Sequence, residues 1–312
     1  MMMDGNTKEG LNPSLTLEEV METLWQEQRD LSPQLGTAVY GIDLREHRTQ
    51  AFARQLKQLL ARRGVVVLKH QTLEPQDQVD FTRLLGEPII NFAHEFTWPQ
   101  MPEIAILSNI LVDGKPIGNR AVGRNWHTDF TFKQLPAAYT MLYGIEVPNE
   151  GGGTAFARLQ KAYEELTASE QAMLRGRNAT YSYARLQERI RNGRPATHPV
   201  AEPDVTHPLI RVHPETGEEK LFINHNDLLN IDGFSEDESL VFAERIFASA
   251  CSNDAIIEHR WDKSDLVIWD NRIVLHIGLP YDMENERRLL HRTMVQGERP
   301  IAAPGSSVSS PP

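Results

Sequence analysis

The chain has 312 residues, and its 32 basic and 43 acidic residues give a formal net charge of −11 at neutral pH. Charged residues make up 24% and hydrophobic residues 40%, which is typical of a folded globular protein and excludes a disordered one. An acidic chain is a poor candidate for nucleic-acid binding. No run approaches the ~18 apolar residues of a membrane span, and the N-terminus lacks the basic and apolar regions of a signal peptide.

Cysteine usage and the two ends of the chain limit its organisation. Cys251 is the only cysteine, which excludes an intrachain disulfide and cysteine-built zinc or iron–sulfur sites. A single cysteine fits a reducing cytosol, so we expect a cytoplasmic protein. We expect one domain over residues 15–300, because no Pro/Gly/Ser-rich linker divides that region. The polar residues 1–14 and the Ser/Pro-rich residues 301–312 are predicted to be disordered tails.

Hydrophobic periodicity predicts helices over residues 16–29, 51–63 and 75–85, each with one apolar face. Two further helices are predicted to begin at capping boxes, where a hydroxyl residue is followed three residues later by Glu, namely Thr167 with Glu170 and Ser235 with Glu238. Short β-rich runs predict strands at residues 65–68, 105–107, 140–147, 220–224, 266–269 and 289–295.

The order of these elements indicates the fold class. Strands and helices do not alternate regularly, which disfavours a doubly wound parallel sheet. The pattern favours a mainly β fold with helices (α+β), in which an antiparallel barrel or jelly roll carries a helical layer. The three glycines at 151–153 do not form a phosphate-binding loop, because the glycine spacing and the lysine of that motif are missing.

The strongest chemical signal is a pair of polar residues, His127 and Asp129, two positions apart. In an extended segment, side chains at i and i+2 point to the same side, so this imidazole and this carboxylate could bind one metal ion. His276 is the candidate for a third ligand. Two His and one carboxylate form the facial triad of non-haem Fe(II) oxygenases, which leaves coordination positions open. The alternative is a histidine that is only hydrogen-bonded to a neighbouring carboxylate.

A second signal is the pair Arg288 and Arg292 in the last predicted strand. Their spacing places both side chains on one face, with backbone origins about 13 Å apart. Two cations on the inner face of a strand need anionic partners, and Arg is suited to bidentate carboxylate recognition. The alternative is a solvated basic edge. His291 is expected to face the opposite way.

Four segments taken together resemble the taurine/aryloxyacetate dioxygenase (TauD/TfdA) family of Fe(II)- and 2-oxoglutarate-dependent oxygenases. In chain order they are WHTDFTF (126–132), HPLIRVHPETGEEKLFIN (207–224), VIWDNRIVLH (267–276) and RRLLHR (287–292). The resemblance extends over roughly residues 64–300, most of the expected domain.

This resemblance implies a double-stranded β-helix (a jelly roll, cupin-like) with flanking α-helices. It implies three iron ligands: His127, Asp129 and His276. It further implies that Thr154 and Arg288 bind the C5 carboxylate of 2-oxoglutarate. Arg292 would lie nearer the open iron position and contact the substrate anion, or share the binding of 2-oxoglutarate. Fe(II) would be the cofactor, with 2-oxoglutarate and O2 as co-substrates.

The reaction implied by the resemblance is oxidation of a C–H bond, chiefly hydroxylation, in a small anionic substrate such as a carboxylate or sulfonate. Succinate and CO2 would be released. Asn91 and His94 are predicted to contact the substrate. The taurine enzymes carry His and Tyr at these positions, which counts against taurine itself. Members of the family often self-associate, so the oligomeric state is left open.

Two other functions stay open. A zinc- or manganese-dependent hydrolase on a cupin-like barrel could use the same His/Asp/His set, but it would need a general base near the metal and would not need the arginine pair. The other is a non-catalytic barrel that binds a small molecule, against which an intact ligand set with both arginines argues.

Overall fold

The computed structural model describes residues 25, 27–90, 94–120, 123–191, 202–252 and 255–304. Its helices are α1 (Gln50–Arg63), α2 (Pro75–Leu85), α3 (Leu159–Glu164), α4 (Ala168–Leu174), α5 (Tyr183–Arg191) and α6 (Glu236–Ala250). Its strands are β1 (Glu27–Asp30), β2 (Thr37–Tyr40), β3 (Val65–Leu68), β4 (Thr97–Trp98), β5 (Met101–Ser108), β6 (Leu111–Val112), β7 (Lys115–Pro116), β8 (Ala137–Glu146), β9 (Thr154–Arg158), β10 (Asn178–Tyr181), β11 (Val205–Pro208), β12 (Ile210–Val212), β13 (Glu219–Leu221), β14 (Leu228–Ile231), β15 (Ile256–His259), β16 (Leu266–Asp270), β17 (Val274–Gly278), β18 (Leu289–Gln296) and β19 (Ile301–Ala302).

Two facing sheets form the jelly roll. The major sheet has eight strands in the order β1-β2-β3-β16-β8-β18-β5-β4, and the minor sheet has the order β15-β9-β17. Only the β2–β3 pair is parallel among the described strand pairs of the major sheet. A buried cluster joins the inner faces of both sheets, and it includes Val67, Leu142, Trp269 and Leu290 from the major sheet and Phe156 and Val274 from the minor sheet.

Two helices cover the outer face of the major sheet. Alternation along a strand sends every second residue outward, and these outward residues meet the apolar faces of α1 and α2 in a second buried cluster, which includes Phe52, Leu56, Phe81, Val66, Met141 and Ile268. A third cluster packs α3 and α6 against β10, β11 and β14. The candidate site lies on the inner face of the jelly roll and on the loop that precedes the major strand β8.

Most of the predicted elements are confirmed. The helices at 51–63 and 75–85 and the strands at 65–68, 266–269 and 289–295 agree with the structure to within a residue or two. Both capping boxes form, with Thr167 accepting from Glu170 N and Ser235 from Glu238 N. The observed jelly roll with flanking helices agrees with the predicted fold class, a mainly β fold with helices (α+β), which is therefore confirmed. No helix of the described part of the chain is long and apolar enough to cross a membrane.

Three predicted boundaries differ from the structure. The helix predicted at 16–29 is wrong at its end, because Glu27–Asp30 pairs with Thr37–Tyr40 and this strand pairing overrides the local periodicity; residues 16–24 and 26 lie outside the described residues. The strand predicted at 220–224 ends at Leu221. The predicted C-terminal tail begins too early, since Ile301–Ala302 pairs with β12 and Ala303 is buried. Residues 1–14 and 305–312 lie outside the described residues.

Candidate active site

Three predicted ligands, distant in sequence, meet at one point. His127, Asp129 and His276 each offer a ligand atom, and these atoms all lie within 4.8 Å of one another. His127 Nε2 is 3.6 Å from Asp129 Oδ1, and His276 Nε2 is 3.7 Å from Asp129 Oδ2. The two imidazole centroids are 4.1 Å apart. Two imidazoles and a carboxylate at this spacing can hold a divalent metal ion.

The backbone brings the ligands together. His127 forms an isolated antiparallel bridge with His276, which extends the minor sheet beyond β17. Phe130, directly after Asp129, has φ of 60°, the left-handed region that bulky residues rarely adopt. The chain therefore turns sharply as soon as the ligand pair has been placed.

Hydrogen bonding orients His127, and burial keeps His276 neutral. His127 Nδ1 donates to the Asn125 carbonyl at 2.8 Å, which orients the ring so that Nε2 faces Asp129. Burial, together with an electrostatic interaction with His127, lowers the pKa of His276 to about 3, so its imidazole is neutral at pH 7. The ring of His276 packs against Trp269 with centroids 4.6 Å apart, and its Nδ1 is buried without a hydrogen-bond partner.

Asp129 is buried but ionised. Burial by itself raises the pKa of this carboxyl, but electrostatic interactions with His276, His127 and Arg292 and a hydrogen bond from Thr140 outweigh it, so that the pKa lies below its ordinary value. Thr140 Oγ1 donates to Asp129 Oδ2 at 2.7 Å. A carboxylate that stays charged in a buried site is the anionic ligand that a divalent cation prefers.

The two predicted arginines are half-buried on the inner face, and each has a buried Nε with an unmet donor. Arg288 Nε and Arg292 Nε are both buried without a hydrogen-bond partner. Burial lowers the pKa of Arg288 to about 10. Burial also lowers the pKa of Arg292, although the nearby carboxylate of Asp129 offsets part of that shift. A desolvated guanidinium with free donors is costly unless an anion binds it, so these residues fit a site for anionic ligands. His291 faces the other way, as predicted, and packs against Trp98.

Thr154 lies on the same inner face as His276. In the β9–β17 pairing, Thr154 lies opposite Gly278, and Phe156, two residues further along, lies opposite His276. Because directly opposed residues share a face, as do residues two positions apart in a strand, Thr154, Phe156 and His276 all point to the same side. The indole Nε1 of Trp261 donates to Thr154 Oγ1 at 3.2 Å, which leaves the hydroxyl hydrogen for another acceptor.

The triple glycine fixes the loop before Thr154. Gly152 N donates to the Pro280 carbonyl at 3.0 Å, and Leu279 N donates to the Gly153 carbonyl at 2.9 Å. The guanidinium of Arg288 lies 5.9 Å from the centre of the Tyr281 ring. Tyr281 therefore stands between the glycine loop and Arg288, a contact that no sequence motif indicated.

The predicted substrate residues fare differently from the ligands. Asn91 lies outside the described residues. His94 is exposed in a short 3-10 helix, His94–Phe96, and its carbonyl accepts a hydrogen bond from Thr97. The prediction missed Thr140 and Asn271, which support Asp129. Asn271 lies within one of the four family-like segments, VIWDNRIVLH, but Thr140 carries no sequence signal.

The fold and this set of side chains define a jelly-roll oxygenase. The chain belongs to the taurine catabolism dioxygenase TauD, TfdA family, whose model matches residues 27–294.

Individual relatives agree with this assignment. The chain is 32% identical over 277 residues to the alpha-ketoglutarate-dependent 2,4-dichlorophenoxyacetate dioxygenase of Cupriavidus pinatubonensis, covering 84% of this chain and 95% of the relative. It is 30% identical over 287 residues to the alpha-ketoglutarate-dependent sulfate ester dioxygenase of Pseudomonas putida, covering 87% and 89% of the two chains. A crystal structure of a taurine dioxygenase from Burkholderia xenovorans superposes with a TM-score of 0.73 at 28% identity, covering 89% of this chain and 93% of that one.

Proposed function

We propose that this protein is an Fe(II)- and 2-oxoglutarate-dependent dioxygenase that oxidises a C–H bond of a small organic anion. The observation that carries the proposal is the His127/Asp129/His276 cluster on the same inner face as two half-buried arginines whose Nε donors are buried and unmet. A metal site explains the cluster, and anionic ligands explain the arginines.

The donor set suits iron. His127, Asp129 and His276 would hold Fe(II) on one side and leave the other side open. Iron and 2-oxoglutarate, when bound, supply the activation of O2 for the overall reaction R–H + O2 + 2-oxoglutarate → R–OH + succinate + CO2.

The chain's own residues bind and orient the reactants. Arg288 would pair with the distal carboxylate of 2-oxoglutarate, and the free hydroxyl hydrogen of Thr154 would add a second donor to it. Arg292, whose charge acts on Asp129, would hold the substrate anion close to the metal. Burial lowers the pKa of both arginines, so both ion pairs would form in surroundings less polar than bulk water.

The substrate class follows from the arginine and from the relatives. Their names describe action on an aryloxyacetate, a sulfate ester and a phenoxypropionate. We propose a small carboxylate, sulfonate or sulfate ester, with aryloxyalkanoates first because the relative at 32% identity acts on one. Asn91 in place of a sulfonate-binding His counts against taurine. Hydroxylation of an aryloxyalkanoate at the carbon beside the ether oxygen would give an unstable hemiacetal or hemiketal, whose C–O bond breaks to release a phenol and a 2-oxo acid.

The buried arginines disfavour the hydrolase alternative. A hydrolase would use the metal and a general base, but it would have no use for two desolvated guanidinium groups on the inner face. A binding protein could use the two arginines, but it would not consume O2.

We also propose that the protein is a single domain that works in the cytoplasm. The single cysteine supports the cytoplasmic location.

The test is O2-dependent succinate formation by Fe(II)-reconstituted protein with a panel of an aryloxyacetate, an aryloxypropionate, an alkyl sulfate and an alkyl sulfonate. We expect at least one to give succinate and oxidised product in equal amounts. His127→Ala should abolish both, while the exposed His94→Ala should leave succinate formation without substrate unchanged. Metal-dependent hydrolysis without O2 consumption would overturn the proposal in favour of a hydrolase.

A further inference from the structure

A buried hydrogen-bond chain ends on the carboxylate of Asp129. Thr140 Oγ1 lies 2.7 Å from Asp129 Oδ2, and Asn271 Nδ2 lies 2.8 Å from Thr140 Oγ1. Both Thr140 and Asn271 are buried. Thr140 belongs to the central strand β8 of the major sheet, where it is paired with Trp269.

The direction of each hydrogen bond in this chain is fixed. Trp269 Nε1 can only donate, and it donates to Asn271 Oδ1 at 3.0 Å, which defines the orientation of the amide. The amide nitrogen must then face Thr140 and donate to it. Because Thr140 Oγ1 accepts from Asn271, its own hydrogen is directed to Asp129 Oδ2.

Asn271 also holds the backbone around the ligand pair. Its Oδ1 accepts from Asp129 N at 3.3 Å, and its carbonyl accepts from Thr128 Oγ1 at 2.6 Å. Asn271 therefore hydrogen-bonds both to the ligand Asp129 and to Thr128, the residue between the two ligands His127 and Asp129. The rotation of the Asp129 carboxylate is determined by protein groups before any metal binds.

We infer that Thr140 and Asn271 are positioning residues that fix the orientation in which the Asp129 carboxylate meets the metal ion. The inference rests on the proposed metal site. Oδ2 accepts the hydrogen bond from Thr140 and lies 3.7 Å from Nε2 of His276, and Oδ1 lies 3.6 Å from Nε2 of His127. The orientation matters because a group that hydrogen-bonds to a metal ligand orients that ligand and tunes the affinity for the metal.

The test compares metal binding by Thr140→Val with that by the wild type. Valine keeps the volume but removes the donor. Because losing the partner of a metal ligand typically weakens metal binding 10–100-fold, we expect Mn(II) to bind apo Thr140→Val about tenfold more weakly, measured by calorimetry. The visible spectrum of the Co(II)-loaded protein, which reports coordination geometry, should also change. Thr140→Ser restores the hydroxyl and should restore both measurements.

The matched control is Thr293→Val on the neighbouring strand β18. Thr293 is equally buried and hydrogen-bonded, but its partners are Thr82 and Gln78 on the outer face. Thr293→Val should lose as much stability as Thr140→Val and keep wild-type Mn(II) affinity. Equal Mn(II) affinity and Co(II) spectra in Thr140→Val and wild type would overturn the inference while leaving the metal site intact. A wild type that binds no Mn(II) would overturn the metal site and this inference together.

Discussion

His127 and His276 exchange two backbone hydrogen bonds, from His127 N to His276 O at 3.1 Å and from His276 N to His127 O at 2.8 Å. This is the hydrogen-bonded pair of an antiparallel ladder. The positions of the two proposed ligands are therefore determined by main-chain atoms. Removing one imidazole leaves the bridge in place.

We accordingly expect His127→Ala to lose the metal and keep the fold. Mn(II) affinity should fall by more than tenfold, because one of three ligands is gone. Circular dichroism and the melting temperature of the apoprotein should match the wild type. His94→Ala, which removes an exposed imidazole, serves as the control and should bind Mn(II) normally. If both variants bound Mn(II) equally well, His127 would not be a ligand.

Arg288→Leu should separate stability from co-substrate binding. Because Nε of Arg288 is buried without a partner, a shorter apolar side chain that removes this unmet donor should leave the apoprotein as stable as the wild type or more stable. Thermal unfolding is the measurement. With Mn(II) present, saturating 2-oxoglutarate should stabilise the wild type by ~2.7 kcal/mol at a hundredfold excess over Kd, and Arg288→Leu by much less. Equal stabilisation of both proteins would remove Arg288 from the co-substrate site.

Gly151→Ala should damage the loop that precedes Thr154. Gly151 has φ of 70°, and a Cβ there would lie 2.6 Å from the Pro280 carbonyl oxygen. Gly114 in the exposed hairpin has φ of 73°, and a Cβ added to it would meet no atom within 4 Å, so Gly114→Ala isolates the conformational penalty of about 1 kcal/mol. We expect Gly151→Ala to lose more stability than Gly114→Ala in urea unfolding and to raise KM for 2-oxoglutarate. Equal losses would show that the close approach to Pro280 is unimportant.

His291 should contribute to acid sensitivity. Burial lowers its pKa to about 4, so between pH 6.5 and pH 4 the unfolded state binds a proton that the native state does not. Stability from this group is therefore complete above pH 6.5 and is lost as pH falls, by up to about 1.4 kcal/mol per pH unit. His291→Phe keeps a ring against Trp98. Between pH 6.5 and pH 4, the free energy of unfolding of this variant should fall by about 1–3 kcal/mol less than that of the wild type. Parallel stability profiles of the apoproteins would contradict this.

Local sequence signals predicted the elements whose periodicity agreed with their surroundings. The helix Pro75–Leu85 begins with a proline at its first position and buries one apolar face, so local and tertiary preferences coincide. At Glu27–Arg29 they conflict. A polar, helix-compatible sequence becomes an edge strand because β2 offers backbone partners, and no local pattern shows which strand will lie beside it.

The same distinction applies to the site. His127, Asp129 and His276 were predicted because their types and order carry chemical information. Thr140 was missed because a threonine in a β-rich run is ordinary, and its role appears only when Asn271 is brought beside it from far along the chain. Tyr281 was missed for the same reason.

The inner face of the jelly roll is assembled from both sheets. His276 belongs to the minor sheet, whereas Arg292 lies in β18 of the major sheet and Arg288 directly precedes that strand. Apolar side chains such as Phe156 and Leu290 set the spacing between them. A change in their volume would shift the substrate relative to the oxidant. Its first sign would be altered regioselectivity, or co-substrate consumed without product, in a protein that still folds.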